Sequence, residues 1–190
     1  MKPDGKPSGN SFGTQKRLAT LRWRALCYLE EKMTTALDFH TEQHGSFDLA
    51  FSAENAFPLF SPEGERIWVP GWTPIPVFPA DMVVRWQTDA VFTLERGGEL
   101  LTWWIVEVDQ AAHRASYVYF APGRVVRVNV NVASTGAHSC RVNVIYVITA
   151  TSAEGERHVT EGCAMDSKMK EWKRLIETSL AGREVPKVVQ

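Results

Sequence analysis

Hydrophobic positions along the 190 residues follow two periods, two through the middle of the chain and about three and a half near its C-terminal end. The run RVVRVNVNV at 124–132 carries the first period most cleanly. Val126, Val128, Val130 and Val132 point one way, while Arg127, Asn129 and Asn131 point the other. Residues 139–151 answer it, with Val142, Val144, Tyr146 and Ile148 alternating against Arg141, Asn143 and Thr149. One dry face and one wet face are what an antiparallel sheet covered on one side requires. Earlier strands are predicted at 46–52, with Phe47, Leu49 and Phe51 facing together, at 91–95, at 101–108 and at 113–120. Gly97-Gly98, Pro122-Gly123 and the neighbourhood of Gly136 supply turns between them. In 101–108 both Trp103 and Trp104 are apolar; Glu107 and Asp109 suggest that odd positions face outward, which puts Trp104 inside.

Two short helices are predicted after the first strand. Ser52 is placed to cap one over 53–57, and Pro62 opens the other, which runs to Trp68. Pro70, Gly71, Pro74, Pro76 and Pro79 then predict a long, stiff loop. After Gly155 the period lengthens. Met165, Met169, Trp172, Ile176 and Leu180 form one stripe of a helix of about five turns, which Gly182 can end.

Composition changes this picture little. A formal net charge of −1, with no basic run, argues against a nucleic-acid partner. No stretch of 18 apolar residues exists, so no integral membrane association is expected. Cys27, Cys140 and Cys163 are far apart, which fits a reducing, cytoplasmic setting better than a disulfide framework. His40, His44, His113, His138 and His158 sit at no metal-ligand spacing, so neither a metal nor a cofactor is expected. Residues 1–32 read as a flexible or weakly helical N-terminal extension ahead of a single domain at 33–190. The extension is nearly free of acids up to Leu29, a composition shared with transit peptides. A loosely attached tail remains the simpler reading, and purine-rich codons for Glu30-Glu31-Lys32 would make Met33 a candidate start.

PEGERIWVPGW at 62–72 is the most distinctive local stretch, a short helix breaking into an aromatic loop. Its two carboxylates could form an acid/base pair, but a solvated helix start is the expected reading, because acids are stabilised near a helix N-terminus. The longer motif AENAFPLFSPEGERIWVPGW, with TWWIVEVD, YVYFAPGRVVRVNV, VIYVITATSAEG and MKEWKRLI, resembles START-like proteins of the SRPBCC superfamily. That superfamily includes polyketide cyclases, lipid carriers and the pollen-allergen fold, and the resemblance is to a bacterial branch.

The resemblance implies an α+β helix-grip fold, with a curved antiparallel sheet around the long C-terminal helix and an apolar cavity between them. It would put Trp68 and Trp72 at one end of that cavity, with Glu63, Glu65 and Arg66 on the wetter side. Filling a closed core is the competing role for the same two rings. Trp104, Tyr117, Val126, Val128, Val144, Tyr146, Met165, Met169 and Trp172 are the other candidate ligand-binding residues. Three functions follow: binding or transport of a hydrophobic small molecule such as a lipid or polyketide, a cyclase/aromatase-type enzyme using Tyr117, Tyr146 or a buried histidine, or a chaperone-activator-like interaction module exposing Trp103. The first is favoured, because the alternation places no polar constellation inward. No catalytic residue is assigned, and oligomeric state is left open.

Overall fold

Seven strands form a single antiparallel sheet in the order β1-β7-β6-β5-β4-β3-β2. They are β1 (His40–Leu49), β2 (Ile75–Phe78), β3 (Val91–Arg96), β4 (Glu99–Asp109), β5 (Arg114–Ala121), β6 (Arg124–Gly136) and β7 (Ser139–Ala150). Helices α1 (Ala53–Ala56) and α2 (Pro62–Trp68), joined by a 3₁₀ turn at Phe57–Phe60, follow β1; α3 (Ala153–Thr160) and α4 (Met165–Leu180) follow β7. The structure, a computed structural model, describes residues 39–81, 83–160 and 164–182. The expected N-terminal extension at 1–32, with Cys27, and Cys163 lie outside the described residues.

The centre of the sheet obeys its sequence pattern. Val126, Val128, Val130 and Val132 are buried and Arg127 is exposed. Cross-strand pairing sets Val128 against Tyr146 on one side and Tyr117 on the other. Non-polar β-branched and aromatic side chains therefore meet on one face, where such pairs stabilise a sheet most.

Four elements differ from expectation. β1 starts at His40, six residues early, because its first half is polar and gives no apolar alternation; it is held by pairing with β7, where the His40 ring meets the Thr149 hydroxyl at 2.9 Å. Within the expected proline loop, Ile75–Phe78 forms an edge strand, a position that tolerates Pro76. Helix α3 was hidden by Gly155, whose missing side chain lets the helix press on the Gly123 turn: a Cβ there would lie 1.7 Å from the Gly123 carbonyl oxygen.

The fourth difference is in β4. Its pairing with β5 shifts between Ile105 and Glu107, so Val106 is an extra residue. A bulge of this kind moves every residue beyond it to the opposite face. Parity read back from Glu107 and Asp109 is therefore reversed at the tryptophans. Trp104 is 40% exposed on the outer face, and Trp103 points inward. The expectations of an inward Trp104 and an exposed Trp103 are both corrected.

Candidate functional site

Ser61 begins the site. Its hydroxyl accepts from the Gly64 amide at 2.9 Å and donates to the Pro58 carbonyl at 2.7 Å, capping α2 and tying it to the preceding turn. Gly64 is required at this junction, since a Cβ would lie 2.0 Å from the same Pro58 oxygen. Trp68 Nε1 donates to the Leu59 carbonyl (2.7 Å) and Trp72 Nε1 to the Pro62 carbonyl (2.8 Å). Both indoles thus satisfy their one donor on backbone and turn their rings to the interior. The odd juxtaposition in PEGERIWVPGW has a mechanical purpose: the tryptophans fasten the short helices while facing a cavity.

That cavity has a volume of about 540 Å³ and lies between the inner sheet face, α2 with its following loop, and α4. Two groups of rings wall it. Phe60, Trp68, Trp172 and Tyr146 form one chain, with Trp68 and Trp172 centroids 5.3 Å apart. Trp72, Phe92, Trp103 and Tyr119 form the other; Phe92 and Trp103 stack within 10° of parallel, and Tyr119 lies 4.5 Å from Trp103. Trp103 Nε1 is buried with no hydrogen-bond partner among the described residues, and the Trp72 ring stands across it at 74°. The exposed lining residues Pro70, Arg96, Ser167 and Glu171 mark the opening.

Of the residues expected from sequence, Trp68, Trp72, Tyr117, Val128, Tyr146 and Trp172 line this space. Val126 and Val144 lie in the packed core beside it, each at most 1% exposed. Met165 and Met169 turn towards β1, where a Cβ on Gly45 would meet Met169 Cγ at 2.4 Å and Met165 Cγ at 3.0 Å. They fill the helix–sheet contact, and Trp104 lies outside.

The polar groups were the least expected. Glu65 lines the cavity, against the reading of PEGER as a solvated helix start. Residues two apart on a helix face different sides. Glu63 is therefore free to pair with Arg66 at 2.8 Å and to accept from the Val84 amide, while Glu65 faces inward. The signal was present in the sequence: Pro62, Glu65, Trp68 and Trp72 fall at helical spacing on one stripe. Burial raises the Glu65 carboxyl from its ordinary 4.5 to about 8, with the Arg96 charge pulling it back. Its carboxyl makes no hydrogen bond or ion pair among the described residues; the surface it keeps faces the cavity.

Tyr117 is otherwise engaged. Its hydroxyl donates to the Phe60 carbonyl (2.8 Å) and accepts from Trp86 Nε1 (2.7 Å), and burial, reinforced by Glu65, holds it well above its ordinary value. Tyr146 is likewise pushed up by burial, and the Lys168 ammonium lies 4.1 Å over its ring. Glu171 pairs with Arg174 at 2.7 Å. Among the described residues no three His, Cys, Asp or Glu side chains gather as a metal site, and no helix is long and apolar enough to cross a membrane.

No protein-family model and no curated protein sequence matches this chain. Solved structures do. Norcoclaurine synthase from Thalictrum flavum, in complex with dopamine and hydroxybenzaldehyde, aligns with a TM-score of 0.58 and 13% identity, over 78% of this chain and 90% of that one. XoxI from Bacillus cereus aligns at 0.56 with 14% identity (73% and 97% covered), and Ara h 8.0201 at 0.55 with 9% identity (75% and 99%). At such identities the likeness shows the fold alone: this chain has the Bet v 1-like helix-grip fold.

Proposed function

We propose that the protein binds a hydrophobic small molecule, of lipid or polyketide type, in the cavity between sheet and α4. The carrying observation is the cavity: about 540 Å³, walled by aromatic rings with a few polar groups, which is the size and chemistry of a small-molecule site. The Thalictrum neighbour, which carries two small aromatic molecules, supports the reading by fold. Transport or storage needs nothing beyond this binding. A catalytic reading is favoured by one specific observation, the inward Glu65 carboxyl raised to about 8, since a proton-handling group works best with a pKa near the operating pH. Tyr117, spent on Trp86 and Phe60, is the weaker candidate for that task.

Native mass spectrometry of freshly purified protein, searching for a retained apolar molecule, and Nile red titration test the binding reading. Val128→Trp puts an indole into the cavity, whereas in a filled core such overpacking costs about 1–3 kcal/mol. Nile red binding is expected to drop sharply in this variant with little loss of stability. Arg127→Ala, on the wet face, is expected to change stability by less than about 0.5 kcal/mol and binding not at all. Severe destabilisation by Val128→Trp, with no probe bound by the parent, sinks the small-molecule reading.

A further inference from the structure

Resting on that reading, we infer that the cavity selects a hydrophobic anion, whose charged oxygen is received by Glu65 as hydrogen-bond donor and by the Arg96 guanidinium. The ligand class is then a hydrophobic molecule ending in a carboxylate, phenolate or enolate.

Glu171 is committed to Arg174, and on α2 Glu63 is committed to Arg66 and the Val84 amide. Arg96, at the end of β3, makes no ion pair or hydrogen bond among the described residues, yet lines the opening and acts electrostatically on Glu65. Lys168, from α4, also lines the cavity, with its ammonium over the Tyr146 ring.

Three phenols line the cavity from the sheet. Tyr117 and Tyr119 on β5 and Tyr146 on β7 are all held above their ordinary pKa by burial, so they stay neutral wherever Glu65 titrates. Well below pH 8 Glu65 is itself neutral. The charge acting on Glu65 is then that of Arg96, and it is positive. A cation would meet the like charge of Arg96 and a protonated acid. An anion meets opposite charge and a free O–H, and charge-assisted hydrogen bonds of this kind are the strong ones. The aromatic walls accommodate the apolar remainder.

Displacement of Nile red tests this with three ten-carbon chains: decanoate, decan-1-ol and decyltrimethylammonium, whose head groups keep their charge state from pH 6.5 to 9.5. At pH 6.5 decanoate is expected to bind on the order of tenfold more tightly than the ammonium compound. Its affinity is expected to fall on the order of tenfold by pH 9.5, as Glu65 ionises and repels it, while decanol changes less than about twofold. Glu65→Gln is expected to abolish the pH dependence. Arg96→Ala, at an exposed position, is expected to weaken decanoate several-fold at pH 6.5 and to leave decanol unchanged. Preference for the ammonium compound, a flat decanoate profile in the parent, or an unchanged profile in Glu65→Gln overturns the inference. Equal displacement by all three chains sinks it while leaving the binding reading intact; Nile red that never binds the parent sinks both.

Discussion

Glu65→Gln is the most informative stability experiment, because its sign depends on pH. In the folded protein the Glu65 carboxyl titrates at about 8, against an ordinary 4.5. Below pH 4.5 both folded and unfolded chains carry the proton, and the side chain imposes no penalty. Between 4.5 and 8 the unfolded chain ionises while the folded one holds its proton, so stability drains away as pH rises. Above 8 the loss is complete and constant. At about 1.4 kcal/mol per pH unit, the interval corresponds to at most about 5 kcal/mol. Glu65 is only half-buried and lines an open cavity, and solvent screening there reduces the expected cost to about 2–3 kcal/mol. Glutamine keeps the shape and cannot ionise. Urea unfolding at pH 4.5, 6.5 and 8.5 is the assay. The variant is expected to match the parent at pH 4.5 and to exceed it by about 2–3 kcal/mol at pH 8.5, with an intermediate gain at 6.5. A variant less stable than the parent at pH 8.5 would refute the reasoning, since it would mean that Glu65 is ionised and stabilised by a partner. A gain of equal size at every pH would refute it too, by tracing the effect to packing.

Two further substitutions test how the site is held. Tyr117→Phe leaves the Trp86 N–H and the Phe60 carbonyl unpaired in the interior, and is expected to lower unfolding free energy by about 2–4 kcal/mol in the same assay; a loss below about 1 kcal/mol would mean that water replaces the hydroxyl. Gly64→Ala sets a methyl against the Pro58 carbonyl at 2.0 Å, and is expected to abolish folding or to cost more than about 3 kcal/mol by thermal melt, beyond ordinary surface substitutions; a near-neutral result would mean that α2 is free to move off the turn.

How much of this was legible in the chain depended on whether the signal was local. The alternation in β6 and β7 names its buried face directly, because both strands run without interruption opposite one another. Ser52 and Pro62 announce their helices; Ser52 accepts from the amide three residues on, as a cap does, and Ser61, ahead of Pro62, does the same. The inward Trp103 was illegible for a definite reason: Val106 is unpaired in a bulge that only the partner strand reveals. The methionines misled differently. Their spacing correctly put them on the buried stripe of α4, but whether that stripe meets a cavity or a strand is decided by Gly45, on an element 120 residues earlier, whose missing side chain makes room for them.

Glu65 was misread for the opposite reason, since its position was legible and its chemistry was discounted. A carboxylate in a short helix beside Arg66 invites the solvated reading, and for Glu63 that reading holds. Yet the two acids differ in what the neighbouring elements present to them. Glu63 meets an arginine and a backbone amide, both of which stabilise the charge. Glu65 meets buried phenols and the field of a single guanidinium, Arg96, with which it forms no ion pair among the described residues. The same residue type, two positions apart, is thereby a structural ion in one case and a neutral acid in the other. Folding alone gives no benefit from the second arrangement, because Gln would satisfy the same space without the cost at neutral pH. What Glu65 adds over Gln is a proton that can be given up, together with an acidity set by one nearby cation. A bound anion that replaces solvent beside Arg96 reduces the field that lowers the carboxyl's pKa and needs the proton retained. If the cavity takes an anion as proposed, ligand and proton bind together, and release of either favours release of the other.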